Sequence, residues 1–253
     1  MRPVRSPQLY LLGLFLLAAL IAFSPNINSY FLSDDFVQIG KVLHRDFSVS
    51  WGHEHGGFFR PLFIWSYVID SRVWGARPFG YHLINAILHG LNAFFVFKLA
   101  SPLVRRFAPT PIGGTRVAIA AAALFLLHPS HTEAVNWISG RADLIATFFI
   151  LASLLAYLAY ANGARTSRLI ASLACFVMAL LAKESAICLP FLVLVVSVPQ
   201  PVRGGKTSNQ VLKIFALFLS ILAGFILVRA FFIGSIIGGY GTTQHLNFSP
   251  GWI

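Results

Sequence analysis

Two carboxylates, Asp34 and Asp35, stand side by side between Phe31-Leu32 and Phe36-Val37. Adjacent acids against an apolar wall repel one another and lose hydration, which raises at least one pKa and suits that group to general-base work or to a metal. The same dipeptide also reads structurally, with Ser33 or Asp34 as the N-cap of a short helix from Phe36. Further on, His128-Pro129-Ser130-His131-Thr132-Glu133 is followed by Gly140-Arg141-Ala142-Asp143. Pro129 stops the helix before it, so His128, His131 and Glu133 face Arg141 and Asp143 across a short turn. His128, His131 and Glu133 lack a helical zinc-ligand spacing, so no metal is assigned. A polar cluster that shapes a site and binds an anion is the functional reading, and a capping turn the structural one.

Lys183-Glu184 lies between two apolar runs. A lysine there is costly unless paired or employed, so it either neutralises Glu184 at a turn or serves a lipid phosphate. Arg60, in Phe59-Arg60-Pro61-Leu62, has the same two options, bidentate phosphate binding or anchoring at headgroups. His82, Asn85 and His89 share one face of an apolar segment and read as interhelical glue. No Walker loop, dinucleotide fingerprint or GxSxG occurs, so nucleotide-driven transport and soluble-type hydrolase chemistry have no support.

The elements that position these groups are membrane helices. Of the 253 residues, 57% are hydrophobic and 11% charged, against about 25% charged in an ordinary soluble domain. The expected architecture is an all-α, multi-pass transmembrane bundle forming one module over 1–253. Its seven spans fall near 9–23, 79–99, 117–128, 144–161, 169–182, 185–198 and 211–232. The first is read as a retained helix rather than a signal peptide. The outer loop 24–77 is too long for a connector, and its stretch Phe58 to Trp74 reads as an interfacial helix. Cys175 and Cys188 lie in apolar runs and read as small core residues.

Charge sets the topology. With the N-terminus cytoplasmic, the inner segments hold Arg2, Arg5, Lys98, Arg105, Arg106, Arg116, Arg165, Arg168, Arg203, Lys206 and Lys213, and no acid. Every carboxylate, Asp34, Asp35, Asp46, Glu54, Asp70, Glu133, Asp143 and Glu184, falls outside beside Lys41, Arg45, Arg60, Arg72, Arg77, Arg141, Lys183 and Arg229. The net charge of +11 is thus cytoplasmic, as the positive-inside rule prefers, and needs anionic lipid rather than nucleic acid as its partner. Fusing the fifth and sixth spans would send Arg203, Lys206 and Lys213 outside, so a hairpin at Lys183-Glu184 is expected.

The motifs, taken in order, resemble the membrane module of the transmembrane-and-TPR-repeat, protein O-mannosyltransferase-like family. More broadly they resemble polyprenyl-phosphate-sugar-dependent glycosyltransferases of the C-type fold. The residues are Asp34-Asp35, Arg60-Pro61-Leu62, Phe79-Gly80-Tyr81-His82-Leu83-Ile84-Asn85 with Leu88-His89, His128 to Val135, Gly140 to Asp143, and Leu181-Ala182-Lys183-Glu184. The resemblance implies a donor sugar, a mannose-like hexose on a polyprenyl phosphate, presented at the outer face to a protein or lipid hydroxyl. Asp34-Asp35 then supplies the base for inverting displacement, and Lys183 and Arg141, with Arg60, meet the leaving phosphate. His128, His131, Glu133, Asp143 and Glu184 shape the site. The polyprenyl-phosphate sugar is the one small molecule implied; no cofactor is assigned. The sequence stops at Ile253 without the family's 34-residue repeats, so a truncated chain or a minimal member is expected. The rival reading is a non-catalytic carrier or lipid-binding subunit, which would place its acids at mid-span.

The topology is open to test by single cysteines. Those near Asp34, Ser139 and Gly241 are expected to react with an impermeant thiol reagent added outside, and those near Gly114, Gly163 and Gly204 are not. Outside labelling near Gly204 removes the hairpin at Lys183-Glu184.

Overall fold

The computed structural model describes residues 7–46, 58–104, 110–197 and 208–233, and among them all regular structure is helical. Glu54, Arg2, Arg5, Arg105, Arg106, Val198, Arg203, Gly204, Lys206 and Gly241, all used above, lie outside the described residues.

The long helices follow the uncharged runs. Helix α1 (Pro7–Phe23) has no charged residue, and α4 (Pro78–Val104) carries Lys98 alone. Between them lie two shorter helices of the loop, α2 (Asp34–Leu43) and α3 (Pro61–Trp74). Helix α5 (Pro111–Leu127) starts where the Thr110 side chain accepts from the Gly113 amide and Pro111 takes the first turn; it stops at His128, before Pro129. A 3₁₀ turn (Pro129–His131), the single-turn α6 (Thr132–Asn136) and a second 3₁₀ turn (Ile138–Gly140) lead into α7 (Arg141–Ala161). Helix α8 (Ser167–Ala182), a 3₁₀ turn (Glu184–Cys188), α9 (Leu189–Ser197) and α10 (Ser208–Ile233) complete the described chain.

Four stretches are long and apolar enough to cross a membrane: Gln8–Asn26, Pro78–Val104, Ile138–Ala161 and Asn209–Ile233. A fifth arises if Ile112–Leu127 and Pro129–Asn136, bent by 47°, form one span. The expected count of seven therefore depends on α8 and α9, of 16 and 9 residues. At 1.5 Å per residue α8 reaches about 24 Å, and the apolar stretch Glu184–Ser197, which adds the 3₁₀ turn to α9, about 21 Å, against roughly 30 Å of hydrocarbon; the residues after Ser197 lie outside the described ones. Hydropathy located these runs but could not lengthen them.

The chain nonetheless reverses where expected. Lys183 touches Asp143 at the start of α7, and the Tyr157 hydroxyl, four turns along α7, bonds Ser197 at the end of α9. The segment after Lys183 therefore runs back beside α7. Helix α10 returns, since Phe225 and Phe232 in its second half both meet Phe59. The bundle thus has two unlike ends. Asp34, Asp35, Asp70, Glu133, Asp143 and Glu184 gather at one, while the other carries Lys98, bonded to Gln8, and the α7–α8 turn with Arg165 and Arg168.

Helix α3 buries Phe63, Ile64 and Tyr67 against α2, α4 and the 138–142 segment. Trp65, Ile69 and Val73, spaced by four, remain exposed on its other face. Close backbone approach fixes two joints. A Cβ on Gly90 would lie 3.1 Å from Leu16 Cα, where α1 crosses α4, and one on Gly140 would lie 2.7 Å from the Ala134 carbonyl oxygen and 2.8 Å from its Cα.

Backbone cannot yield as a side chain does, so Gly140→Ala is expected to cost about 1–3 kcal/mol. Its thermal unfolding in detergent should fall by several degrees. Gly13→Ala, with nothing within 4 Å, provides the unperturbed control.

Candidate active site at the acidic end

The site is framed by one buried cation. Arg141, at the first turn of α7, is fully buried, so in low dielectric each of its donors needs an acceptor. Its Nε donates to Asn85 Oδ1 at 2.8 Å, one terminal nitrogen donates to the Tyr81 carbonyl at 2.8 Å, and the other pairs with Asp70 and reaches Ser66 Oγ at 3.5 Å. The guanidinium also sits 4.9 Å from the Tyr67 ring centre and 5.7 Å from that of Tyr81. Burial pushes the Asp70 carboxyl above its ordinary value, against the opposing pull of Arg141.

This frame holds the 134–141 segment. The Asn85 amide points among the carbonyls of Val135, Trp137 and Ile138 at 3.2–3.4 Å, and Tyr67 donates to the Ile138 carbonyl at 2.9 Å. The interhelical role read for this face of α4 holds for His89, which donates to the Leu126 carbonyl of α5, whereas His82 donates to the Ser29 carbonyl in the loop after α1, each at 3.0 Å. Asn92 likewise donates to the Leu144 carbonyl at 3.0 Å.

The held turn in turn fixes the diacid. Asp35 is buried and accepts from the Ser139 amide at 2.8 Å, the Ser139 hydroxyl and the Leu32 amide at 3.0 Å. Trp137 Nε1 donates to the Leu32 carbonyl at 3.2 Å. Burial raises the Asp35 carboxyl, while the Ser139 hydroxyl, the Leu32 and Ser139 amides and His82 pull it down. Asp34 differs: it is half-buried, and among the described residues only the Ser33 hydroxyl, 3.3 Å away, donates to it. Ser33 has φ +51° and ψ −117°, a conformation that favours glycine, and its side chain does not cap α2. Helix α2 also starts at Asp34, two residues before the expected Phe36.

Four more charges line the same end in two pairs. Lys183 Nζ lies 2.6 Å from Asp143, and Arg60 holds Glu184 Oε2 through Nε at 2.9 Å and a terminal nitrogen at 2.8 Å. These pairings differ from the expected ones. Lys183 does not neutralise Glu184, because its backbone is extended (φ −159°, ψ 144°) and neighbouring side chains of an extended chain point apart. Arg141, expected at the donor phosphate beside Asp143, faces Asp70 instead, because residues two apart on a helix do not share a face. With its nitrogens engaged inside the protein, Arg141 belongs to the frame.

His128 and Ser130 form an exposed local turn, with the Ser130 amide donating to His128 Nδ1 at 3.2 Å, so the capping reading applies there. The His131 ring packs 4.5 Å from that of Phe125, and Glu133 is exposed. No three His, Cys, Asp or Glu side chains among the described residues converge as a metal site. The sequence reading missed the partners Asp70, Tyr67, Ser66 and Ser139. Asp70 carried a signal, being the lone acid in an apolar aromatic stretch; the others carried none.

Removing one member of the buried pair strands the other charge. Arg141→Met is expected to cost about 3–5 kcal/mol, and adding Asp70→Asn should recover most of it. Unfolding midpoints of the single and double variants in detergent measure both.

No protein-family model matches the chain, and no solved structure does. Curated relatives do. The Drosophila melanogaster protein named Protein O-mannosyl-transferase Tmtc1 is 34% identical over 206 residues, 79% of this chain and 22% of its own length. The Mus musculus Protein O-mannosyl-transferase TMTC4 is 32% identical over 142 residues, 52% of this chain and 19% of its own. The Caenorhabditis elegans relative, also named a protein O-mannosyl-transferase, is 33% identical over 118 residues, 46% and 16% respectively. The chain thus spans about a fifth of the length of these relatives. The likeness expected from the motifs is therefore a matter of descent, and the chain is a homologue of the TMTC protein O-mannosyl-transferases.

Proposed function

We propose that the chain is the membrane module of a glycosyltransferase that moves mannose from a polyprenyl-phosphate donor to a protein or lipid hydroxyl. In this reading the acidic end faces outward, the N-terminus is cytoplasmic, and α8 and α9 make the fifth and sixth of seven crossings. The names of the relatives support the sugar-transfer chemistry. The observation that carries the residue roles is the division of labour in the diacid. Asp35 is committed to Ser139 and Leu32, whereas Asp34 follows a strained Ser33 with one weak neighbour. Strain of this kind persists only where the surroundings over-determine it, and it gathers at functional sites.

Asp34 accepts the proton of the acceptor hydroxyl as that oxygen attacks the anomeric carbon from the face opposite the phosphate. The bond from the anomeric carbon to the phosphate oxygen breaks, its electron pair leaves on the phosphate, and configuration inverts. Lys183 and Arg60 stabilise that charge: Lys183 loosens Asp143 to do so, while Arg60 keeps Glu184 through Nε and one terminal nitrogen and offers the other terminal nitrogen to the phosphate. Arg141 holds the 134–141 turn, and through Ser139 the diacid. His128, His131 and Glu133 border the same end. A carrier would place its charged groups near the middle of the bundle, and these lie at one end.

Asp34→Asn is expected to lower turnover roughly 10²–10⁴-fold while leaving donor affinity within a few fold, because a base acts in the transition state. Asp35→Asn should instead lower the unfolding temperature. The assay is release of free polyprenyl phosphate from a labelled polyprenyl-phosphate mannose in membranes holding the chain. An equal loss of donor affinity in Asp34→Asn assigns Asp34 to binding, and no release by the unaltered chain overturns the reading.

A further inference from the structure

Glu184 holds a second feature that the phosphate chemistry leaves unused. Both nitrogens that Arg60 offers go to the same carboxylate oxygen, Oε2. The other oxygen, Oε1, is buried, and no group among the described residues donates to it. An ionised carboxylate is acceptor-only, with about two hydrogen-bond places on each oxygen, so a buried empty one is costly. The side chain as a whole is 21% exposed, so Glu184 stands at the edge of the charged end and not in the apolar core. The 3₁₀ turn Glu184–Cys188 and the hydrogen bond from the Lys183 amide to the Ala179 carbonyl hold the backbone at this reversal, and Arg60 fixes the carboxylate plane.

We propose that Glu184 Oε1 accepts a hydrogen bond from one hydroxyl of the donor sugar, making Glu184 a sugar-recognition residue beside the cations that meet the phosphate. The chemistry at the site selects the partner. Oε1 can only accept, so it requires a donor, which a phosphate oxygen is not at neutral pH. A hexose presents several hydroxyls one or two bonds beyond the phosphate-bearing carbon, and Arg60, one of the cations assigned to that phosphate, already touches Glu184, so a phosphate at Arg60 places sugar hydroxyls next to Glu184. Arg60 orients the acceptor by withdrawing its partner oxygen. A site built to pair a hydroxyl also rejects a sugar lacking it, because the buried acceptor is then left unpaired.

This inference rests on the reading above, and the experiment separates the two. Membranes holding the chain are saturated with labelled polyprenyl-phosphate mannose, which is displaced by unlabelled donor and by a series of donors each lacking one sugar hydroxyl. In the unaltered chain, one member of the series is expected to bind roughly 10- to 150-fold more weakly than mannose donor, as for a lost hydrogen bond to a charged group. Glu184→Gln should weaken the full mannose donor by a similar factor and leave that one deoxy donor almost unchanged, since its hydroxyl is already gone. A merely structural Glu184, acting through Arg60, would weaken every donor equally, and that result overturns the proposal. If Glu184→Gln does not fold, Glu184→Asp keeps the charge for Arg60 while drawing the acceptor back by one methylene, and the same pattern is expected. Absence of specific binding of mannose donor to the unaltered chain overturns the underlying function as well, whereas uniform deoxy responses overturn this inference alone.

Discussion

A guanidinium cannot be deprotonated to escape burial, and that constraint organises the acidic end of the bundle. Arg141 must meet its acceptors wherever the helices cross, and they come from two helices: Asp70 and Ser66 on α3, and Asn85 with the Tyr81 carbonyl on α4. Helix α3 is thereby pinned to α4 and α7 by charge, although much of its outer face is apolar. Asn85 spends its carbonyl on Arg141 and its amide on the 135–138 carbonyls, so the cation and the turn are satisfied by one side chain. Polar networks of this kind specify a single arrangement when every member is paired.

The charges of the end fall into two classes. Arg141–Asp70 is closed in, with side chains 0% and 8% exposed, and its role is positional. Lys183–Asp143 and Arg60–Glu184 are partly exposed, with side chains 27% and 43% and 21% and 21% open to solvent. Exchange of one anion for another costs far less than stripping a buried cation, which is why the outer pairs and not the inner one suit a leaving phosphate.

Much of this was legible in the sequence because it depends on sidedness and periodicity. The segregation of Asp34, Asp143 and Glu184 from Lys98, Arg165 and Arg168 follows from where apolar runs begin and end, and the reversal at Lys183 follows from the same bookkeeping. The pairings were less so. Whether Lys183 meets Glu184 or Asp143 depends on an extended residue at a helix end, and whether Arg141 meets Asp143 or Asp70 depends on the angular offset of residues two apart. The latter was available from helix geometry alone. The lengths of α8 and α9 depend on where the backbone leaves the helix around Lys183 and Cys188, and hydropathy does not register that.

The hydrogen bonds from Ser139 to Asp35 join residues 104 apart in sequence, and the bond from Trp137 to Leu32 spans 105. A chain made from its N-terminus therefore produces the diacid long before its anchors exist. Until α4 and the 137–139 turn have emerged and packed, the stretch around Ser33 has nothing to hold its unfavourable backbone. The acid pair is thus made 104 residues before the serine that sets it in place, and the site stays unassembled while the helices between them form.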